Sequence, residues 1–155
     1  MLKYVDTKVV FQEVPNEVTL AINISNCPCN CKNCHSSYLS EDIGEPLDFI
    51  SLHNLICDNN GITCVCFMGG DAAPWKIHTL AVYIRTAFPK LKVAWYSGRE
   101  ELHSSISLNL HDFDYIKLGP YIEEYGPLNC KTTNQRLYKV VNEELLDITN
   151  CFWDK

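Results

Sequence analysis

The chain has 155 residues, 46% of them hydrophobic, which is enough for one domain with a sizeable core. Its net charge of −6 argues against the broad phosphate binding that a nucleic-acid partner requires. Nine cysteines without the even spacing of a disulfide framework, no leader pattern and no membrane-length apolar run favour a reduced, cytoplasmic protein that has no membrane partner.

Hydrophobic periodicity predicts strands that alternate with helices along the chain. The predicted strands are 18–24, 62–68, 91–96 and 113–118, and the predicted helices are 49–56, 74–88 and a weaker one at 99–110. Such an alternation gives an α/β fold of mainly parallel strands with crossover helices. A full eightfold barrel usually needs about 250 residues, so we expect an open or partial (β/α) barrel.

We expect a single domain over residues 1–155, with its core at about 17–120 and a tail at 121–155 that packs on the core or extends it. In the tail, residues 135–141 and 145–148 are predicted to form edge strands, with a hairpin around Asn142-Glu143.

The nine residues from Cys27 to His35 contain the spacing Cys27-x3-Cys31-x2-Cys34. Ordinary iron–sulfur clusters of this size use four cysteines. Three thiolates would hold three irons of a [4Fe–4S] cluster and leave one iron open. Cys29 keeps two alternatives alive: a zinc site of four thiolates, and thiols that bind no metal.

Each predicted parallel strand ends in glycine or polar residues, and ligands bind at the carboxyl ends of such strands. These ends are the cysteine segment, Gly69-Gly70-Asp71, Ser97-Gly98-Arg99, and Lys117 with Gly119. Paired glycines let backbone approach a ligand closely, and the Asp71 carboxylate could hold an ammonium group; the alternative is a simple tight turn. Arg99 and Lys117 are predicted to be surface charges more often than ligands of a carboxylate.

The cysteine segment resembles that of the radical S-adenosylmethionine (SAM) superfamily, in which the open iron binds SAM. The resemblance implies a Gly-Gly-Glu-like motif at Gly69, Gly70 and Asp71 that contacts the SAM amino group, with Asp71 as a mild departure. It also places Asn33 and His35 against the adenosine. We add Ser97 to the predicted SAM-binding residues because it ends the third parallel strand.

Residues 13–27, 31–36, 114–121 and 132–138 are similar to the activating proteins of anaerobic (class III) ribonucleotide reductase, and the similarity runs from about 13 to 140. It implies that reduced flavodoxin or ferredoxin supplies one electron, that SAM is cleaved, and that a glycine of the reductase becomes a glycyl radical. No protein general base is expected. Two alternatives stay open: a radical SAM enzyme for another protein or a small molecule, and a non-catalytic zinc module.

The remaining cysteines have simpler interpretations. Cys57, Cys64 and Cys66 are expected to be small buried apolar residues. Cys130 and Cys151 could form a redox pair or a second metal site, although ordinary free thiols are the simpler interpretation.

Overall fold

Eight strands form one mixed sheet in the computed structural model, which describes residues 2–11, 14–25 and 43–152. The strands are β1 (Lys3–Val10), β2 (Thr19–Ile24), β3 (Glu45–Pro46), β4 (Cys64–Met68), β5 (Lys92–Tyr96), β6 (Tyr115–Leu118), β7 (Arg136–Val141) and β8 (Glu144–Asp147). Their order across the sheet is β3-β1-β2-β4-β5-β6-β7-β8.

The four predicted strands are parallel neighbours at the centre of this sheet, in the order β2, β4, β5, β6. The outer strands pair antiparallel: β1 with β2 and β3 on one side, and β7 with β6 and β8 on the other. Parallel pairing is therefore confined to the centre. The curvature of a partial barrel stays a prediction.

Two of the three predicted helices form as expected. Helix α1 spans Phe49–Cys57 and begins with a capping box between Asp48 and Ser51. Helix α2 spans Pro74–Ala87, and Pro74 stands at its first turn, where a missing N–H costs nothing. The sequence predicted an apolar face on α2. Its members Ile77, Leu80, Ala81 and Ile84 are buried, whereas its last member, Phe88, is half-buried just after the helix.

The third predicted helix, at 99–110, is wrong in extent. A single helical turn, α3 (Ser104–Ser107), is followed by a 3-10 turn at Leu110–Asp112. The amide N–H of Arg99 donates to the Ser97 hydroxyl, and the Arg99 carbonyl accepts from Gly119 N–H. The Arg99 carbonyl therefore bonds to the end of β6, whereas a helix would pair it with an N–H four residues further along the chain.

Both faces of the central sheet are buried. On β4, Val65 and Phe67 belong to the core that packs against the helices, whereas Cys64 and Cys66 belong to a second apolar cluster with Tyr115. The continuous apolar run of this strand predicted burial on both faces. Cys64 and Cys66 are buried as expected, but the prediction is wrong for Cys57, which is exposed at the end of α1.

The tail forms the predicted hairpin, since β7 and β8 pair antiparallel. Asn142 and Glu143 connect them with φ of 52° and 64°, the left-handed conformation that a tight two-residue hairpin turn requires. No helix in the described part of the chain is long and apolar enough to cross a membrane.

Candidate functional site

The carboxyl ends of the four parallel strands lie side by side at one edge of the sheet. Asn23 is in register with Met68, Met68 with Tyr96, and Tyr96 with Lys117. The loops that follow these four strands therefore all leave the sheet at the same edge. This edge, defined by the carboxyl ends of β2, β4, β5 and β6, is called the carboxyl edge below.

The cysteine segment follows β2 in the sequence, and β2 ends at the carboxyl edge. Cys27, Cys29, Cys31, Cys34, Asn33 and His35 lie outside the described residues. Ser25 directly follows β2, and its hydroxyl donates to the carbonyl of Ile43, 2.5 Å away. Its amide N–H donates to the Lys3 carbonyl at 3.0 Å. The two described ends that flank residues 26–42 are therefore joined to each other beside the carboxyl edge.

Gly69 and Gly70 turn the chain sharply after β4, with φ of 111° and 91°, values that favour glycine. The Gly69 N–H donates to the Tyr96 carbonyl, and the Gly69 carbonyl accepts from the Trp95 indole N–H at 2.6 Å. The Gly70 carbonyl accepts from Ala73 N–H at 3.0 Å. Each carbonyl oxygen thus accepts one hydrogen bond within the chain and has a second lone pair.

The Asp71 carboxylate turns toward the end of β5. Asp71 is 3% exposed, and its Oδ1 accepts from the Ser97 hydroxyl at 2.5 Å while its Oδ2 accepts from Gly98 N–H at 2.9 Å. The structure thus brings two predicted site residues, Asp71 and Ser97, into direct contact. Through these two bonds the carboxylate connects the loops that follow β4 and β5.

Two cations stand at the carboxyl edge. The Arg99 side chain is exposed, and one guanidinium nitrogen lies 3.5 Å from the Asp71 carbonyl. Lys117 is only 8% exposed; its ammonium donates to the Gly119 carbonyl at 2.9 Å and lies 5.7 Å from the centre of the Tyr96 ring. The expected surface position is therefore correct for Arg99 and wrong for Lys117.

The tail residues 134–136 close on the end of β6. Asn134 Nδ2 donates to the Pro120 carbonyl at 3.1 Å, and Arg136 is in register with Leu118. The Arg136 guanidinium lies 3.7 Å from the Asp147 carboxylate of β8, and both side chains are more than 40% exposed. Arg136 therefore pairs locally within the hairpin.

The described cysteines do not assemble a metal site. Within residues 2–11, 14–25 and 43–152, no group of three or more His, Cys, Asp or Glu side chains is placed to hold a metal ion. Burial, together with the nearby Glu17 carboxylate, raises the pKa of the Cys64 thiol to about 12. Cys130 and Cys151 are half-buried.

Trp95 is the site residue that sequence reasoning missed. Its indole is 1% exposed and packs in the core, yet its N–H fixes the carbonyl of Gly69. The sequence does indicate that Trp95 has a polar partner, because a buried tryptophan inside an apolar strand needs an acceptor for its indole N–H. The partner could not be read from the sequence, because Gly69 lies 26 residues away.

No protein-family model matches the chain, and neither does any curated protein or solved structure.

Proposed function

We propose that the chain is a radical SAM activase that generates a glycyl radical on anaerobic ribonucleotide reductase. The observation that carries this proposal is that β2, which precedes the Cys27-x3-Cys31-x2-Cys34 spacing in the sequence, ends at the same edge as three other parallel strands. The hydrogen bond between Ser25 and Ile43 supports it, since it brings the chain back to that edge after the cysteines.

The groups at the carboxyl edge fit the amino-acid half of SAM. The carbonyls of Gly69 and Gly70 are suitable acceptors for its ammonium group. The exposed guanidinium of Arg99 and the buried ammonium of Lys117 are suitable partners for its carboxylate. Asp71 would serve this ligand indirectly, because its oxygens already hold Ser97 and Gly98.

The proposed chemistry belongs to the cofactors. When bound, a [4Fe–4S] cluster held by Cys27, Cys31 and Cys34 supplies the reductive cleavage of SAM. One electron from reduced flavodoxin or ferredoxin, SAM and the glycine hydrogen together yield methionine, 5′-deoxyadenosine and a glycyl radical. The residues of this chain bind and orient, and we assign no general base. The reductase's glycine loop would cover the carboxyl edge and exclude water during the reaction.

We propose the corresponding fold as well: a partial barrel of the radical SAM type. Its support is the set of four parallel strands in chain order, with α1, α2 and α3 in the connections that precede β4, β5 and β6. A cytoplasmic location is part of the same proposal, because thiolates that hold a cluster need a compartment that keeps them reduced.

The test is anaerobic reconstitution with iron and sulfide, followed by SAM, reduced flavodoxin and a co-encoded anaerobic reductase. We expect a glycyl radical signal by electron paramagnetic resonance, in proportion to the reductase. Two matched controls should give none: the Cys31→Ala variant, and a reductase whose acceptor glycine is alanine.

The other outcomes identify the alternatives. A cluster that cleaves SAM but never yields a glycyl radical on the reductase indicates a radical SAM enzyme for another protein or a small molecule. A colourless protein that binds one zinc ion and no cluster indicates the zinc module, and it overturns the proposed activity.

A further inference from the structure

In the side-chain amide of Asn134, the nitrogen makes a hydrogen bond and the oxygen does not. Its Nδ2 donates to the Pro120 carbonyl at 3.1 Å. Because that carbonyl can only accept, the orientation of the amide is fixed, and Oδ1 must point away from Pro120. Oδ1 is buried, and it finds no hydrogen-bond donor among the described residues.

A buried amide oxygen without a donor destabilises the fold, whereas an apolar side chain of similar size would avoid that cost. Only one other side-chain oxygen in the described chain is in this state, the Thr19 hydroxyl. Thr19 begins β2 and therefore lies at the opposite edge of the sheet. Asn134 is thus the one such residue of the described chain at the carboxyl edge, and an outside donor would explain its presence.

Asn134 can lie at this edge because the residue packed against it is Gly119. A Cβ on Gly119 would lie 3.1 Å from the Gln135 Cα and 3.6 Å from Asn134 Nδ2, so glycine lets the tail pack closely here. Gly119 N–H also donates to the Arg99 carbonyl at 2.7 Å. The end of β6, the end of β5 and Asn134 are therefore connected through direct contacts.

The surroundings suggest which part of a ligand would face Asn134. Arg99 extends toward β4, because its guanidinium reaches the Asp71 carbonyl. A carboxylate bound by Arg99 would place the amino-acid half of SAM near β4 and β5. The nucleoside half could then extend toward β6, one strand spacing of about 4.8 Å further along the edge.

We propose that Asn134 Oδ1 accepts a hydrogen bond from a neutral donor on the nucleoside half of SAM, either a ribose hydroxyl or the adenine 6-amino group. The inference rests on the proposed function. It assigns a binding role to the Asn134-Gln135-Arg136 stretch, whose arginine pairs within the hairpin.

The experiment is a double-mutant cycle on the cluster-bearing protein, in which one change is made in Asn134 and the other in the ligand. Binding of S-adenosylhomocysteine is compared with binding of three analogues, which lack the 2′-hydroxyl, the 3′-hydroxyl or the 6-amino group. We expect one analogue to bind the wild type about threefold to tenfold more weakly, the effect of one neutral hydrogen bond. Asn134→Ala should bind that analogue and the parent equally well. Asn129→Ala, an exposed residue of the same loop, should keep the wild-type penalty.

Asn134→Leu provides a second variant of similar volume if the alanine variant is unstable. If the Asn134 variants still bind each analogue as much more weakly than the parent as the wild type does, the assignment is overturned. It is also overturned if these variants lose the same affinity for the parent and for every analogue. Unchanged nucleotide binding together with weaker binding of the reductase also overturns it, and assigns the donor to the protein partner. A cluster-bearing wild type that does not bind S-adenosylhomocysteine contradicts the proposed function itself, and the inference falls with it.

Discussion

Substitution of Gly70 by alanine should damage the packing beneath the proposed site. A Cβ at Gly70 would lie 2.5 Å from Cδ1 and 2.8 Å from Cγ1 of Ile77 in helix α2. Ile77 is fully buried, so it has little room to move. The added carbon points into the core between β4 and α2, and the effect on SAM would be secondary to this clash.

The magnitude has two parts. At φ of 91°, a side chain in the left-handed region costs about 1–2 kcal/mol. Overpacking against Ile77 adds about 1–3 kcal/mol. The sum, about 2–5 kcal/mol, should lower the melting temperature by roughly 4–20 °C for a chain of this size.

Gly61 is a matched control, because its φ is 89° but no atom lies within 4 Å of the position that a Cβ would take there, so Gly61→Ala carries only the backbone cost. Urea unfolding of both variants at equal cluster content measures the difference. Gly70→Ala should be the less stable by about 1–3 kcal/mol, the overpacking cost alone. Ile77→Val, which deletes the nearest carbon, should recover part of that difference. Equal stability of the two alanine variants would refute the packing argument.

The remaining predictions concern the cluster, the loop bridge, the tail and a buried thiol. The proposed cluster ligands are Cys27, Cys31 and Cys34. Alanine at any of them should abolish the cluster, whereas Cys29→Ala should keep it. Equal loss of iron in Cys29→Ala would show that the choice of ligands is wrong. Ser97→Ala should destabilise the fold by about 1.5–3 kcal/mol in urea unfolding, since it removes a hydrogen bond to the buried carboxylate of Asp71; a change below about 0.5 kcal/mol would contradict this. Arg136→Glu should cost less than about 1 kcal/mol because its ion pair is exposed, and SAM cleavage should persist; glycyl radical formation then tests whether the tail docks the reductase. The pKa of Cys64 is raised to about 12 from its ordinary value of 9.0, so the unfolded chain loses this proton first and the free energy of unfolding should fall between about pH 9 and 12. Cys64→Val should reduce that slope, and an unchanged slope would exclude this thiol as its source.

Elements with strong local signals could be predicted from the sequence. Helix α2 combines an initial Pro74 with an apolar face that recurs every three to four residues, and its buried residues match that face. The hairpin after β7 follows from Asn142, a residue that tolerates positive φ, between two strand-like runs. In both, the decisive interactions lie within a few residues in the sequence.

Interactions between distant segments could not be predicted. The helix expected at 99–110 does not begin at Arg99, whose carbonyl accepts from Gly119 N–H in a distant part of the chain, and such a contact leaves no periodic signal. The buried Lys117 ammonium donates to the Gly119 carbonyl, and it lies over the ring of Tyr96 on the neighbouring strand β5. Motif position alone places Asp71 at the edge, but only the structure shows where its oxygens point.

The inward direction of Asp71 has an electrostatic consequence for the proposed ligand. A carboxylate that faced the ligand would attract the ammonium of SAM but would repel the SAM carboxylate, which is attached to the same carbon. With its oxygens held by Ser97 and Gly98, Asp71 is buried at 3% exposure, and its backbone carbonyl meets the guanidinium of Arg99. The same residue therefore fixes the β5 loop and helps to orient the cation. A neutral carbonyl acceptor for the ammonium and a cation for the carboxylate would then match both ends of a zwitterionic ligand.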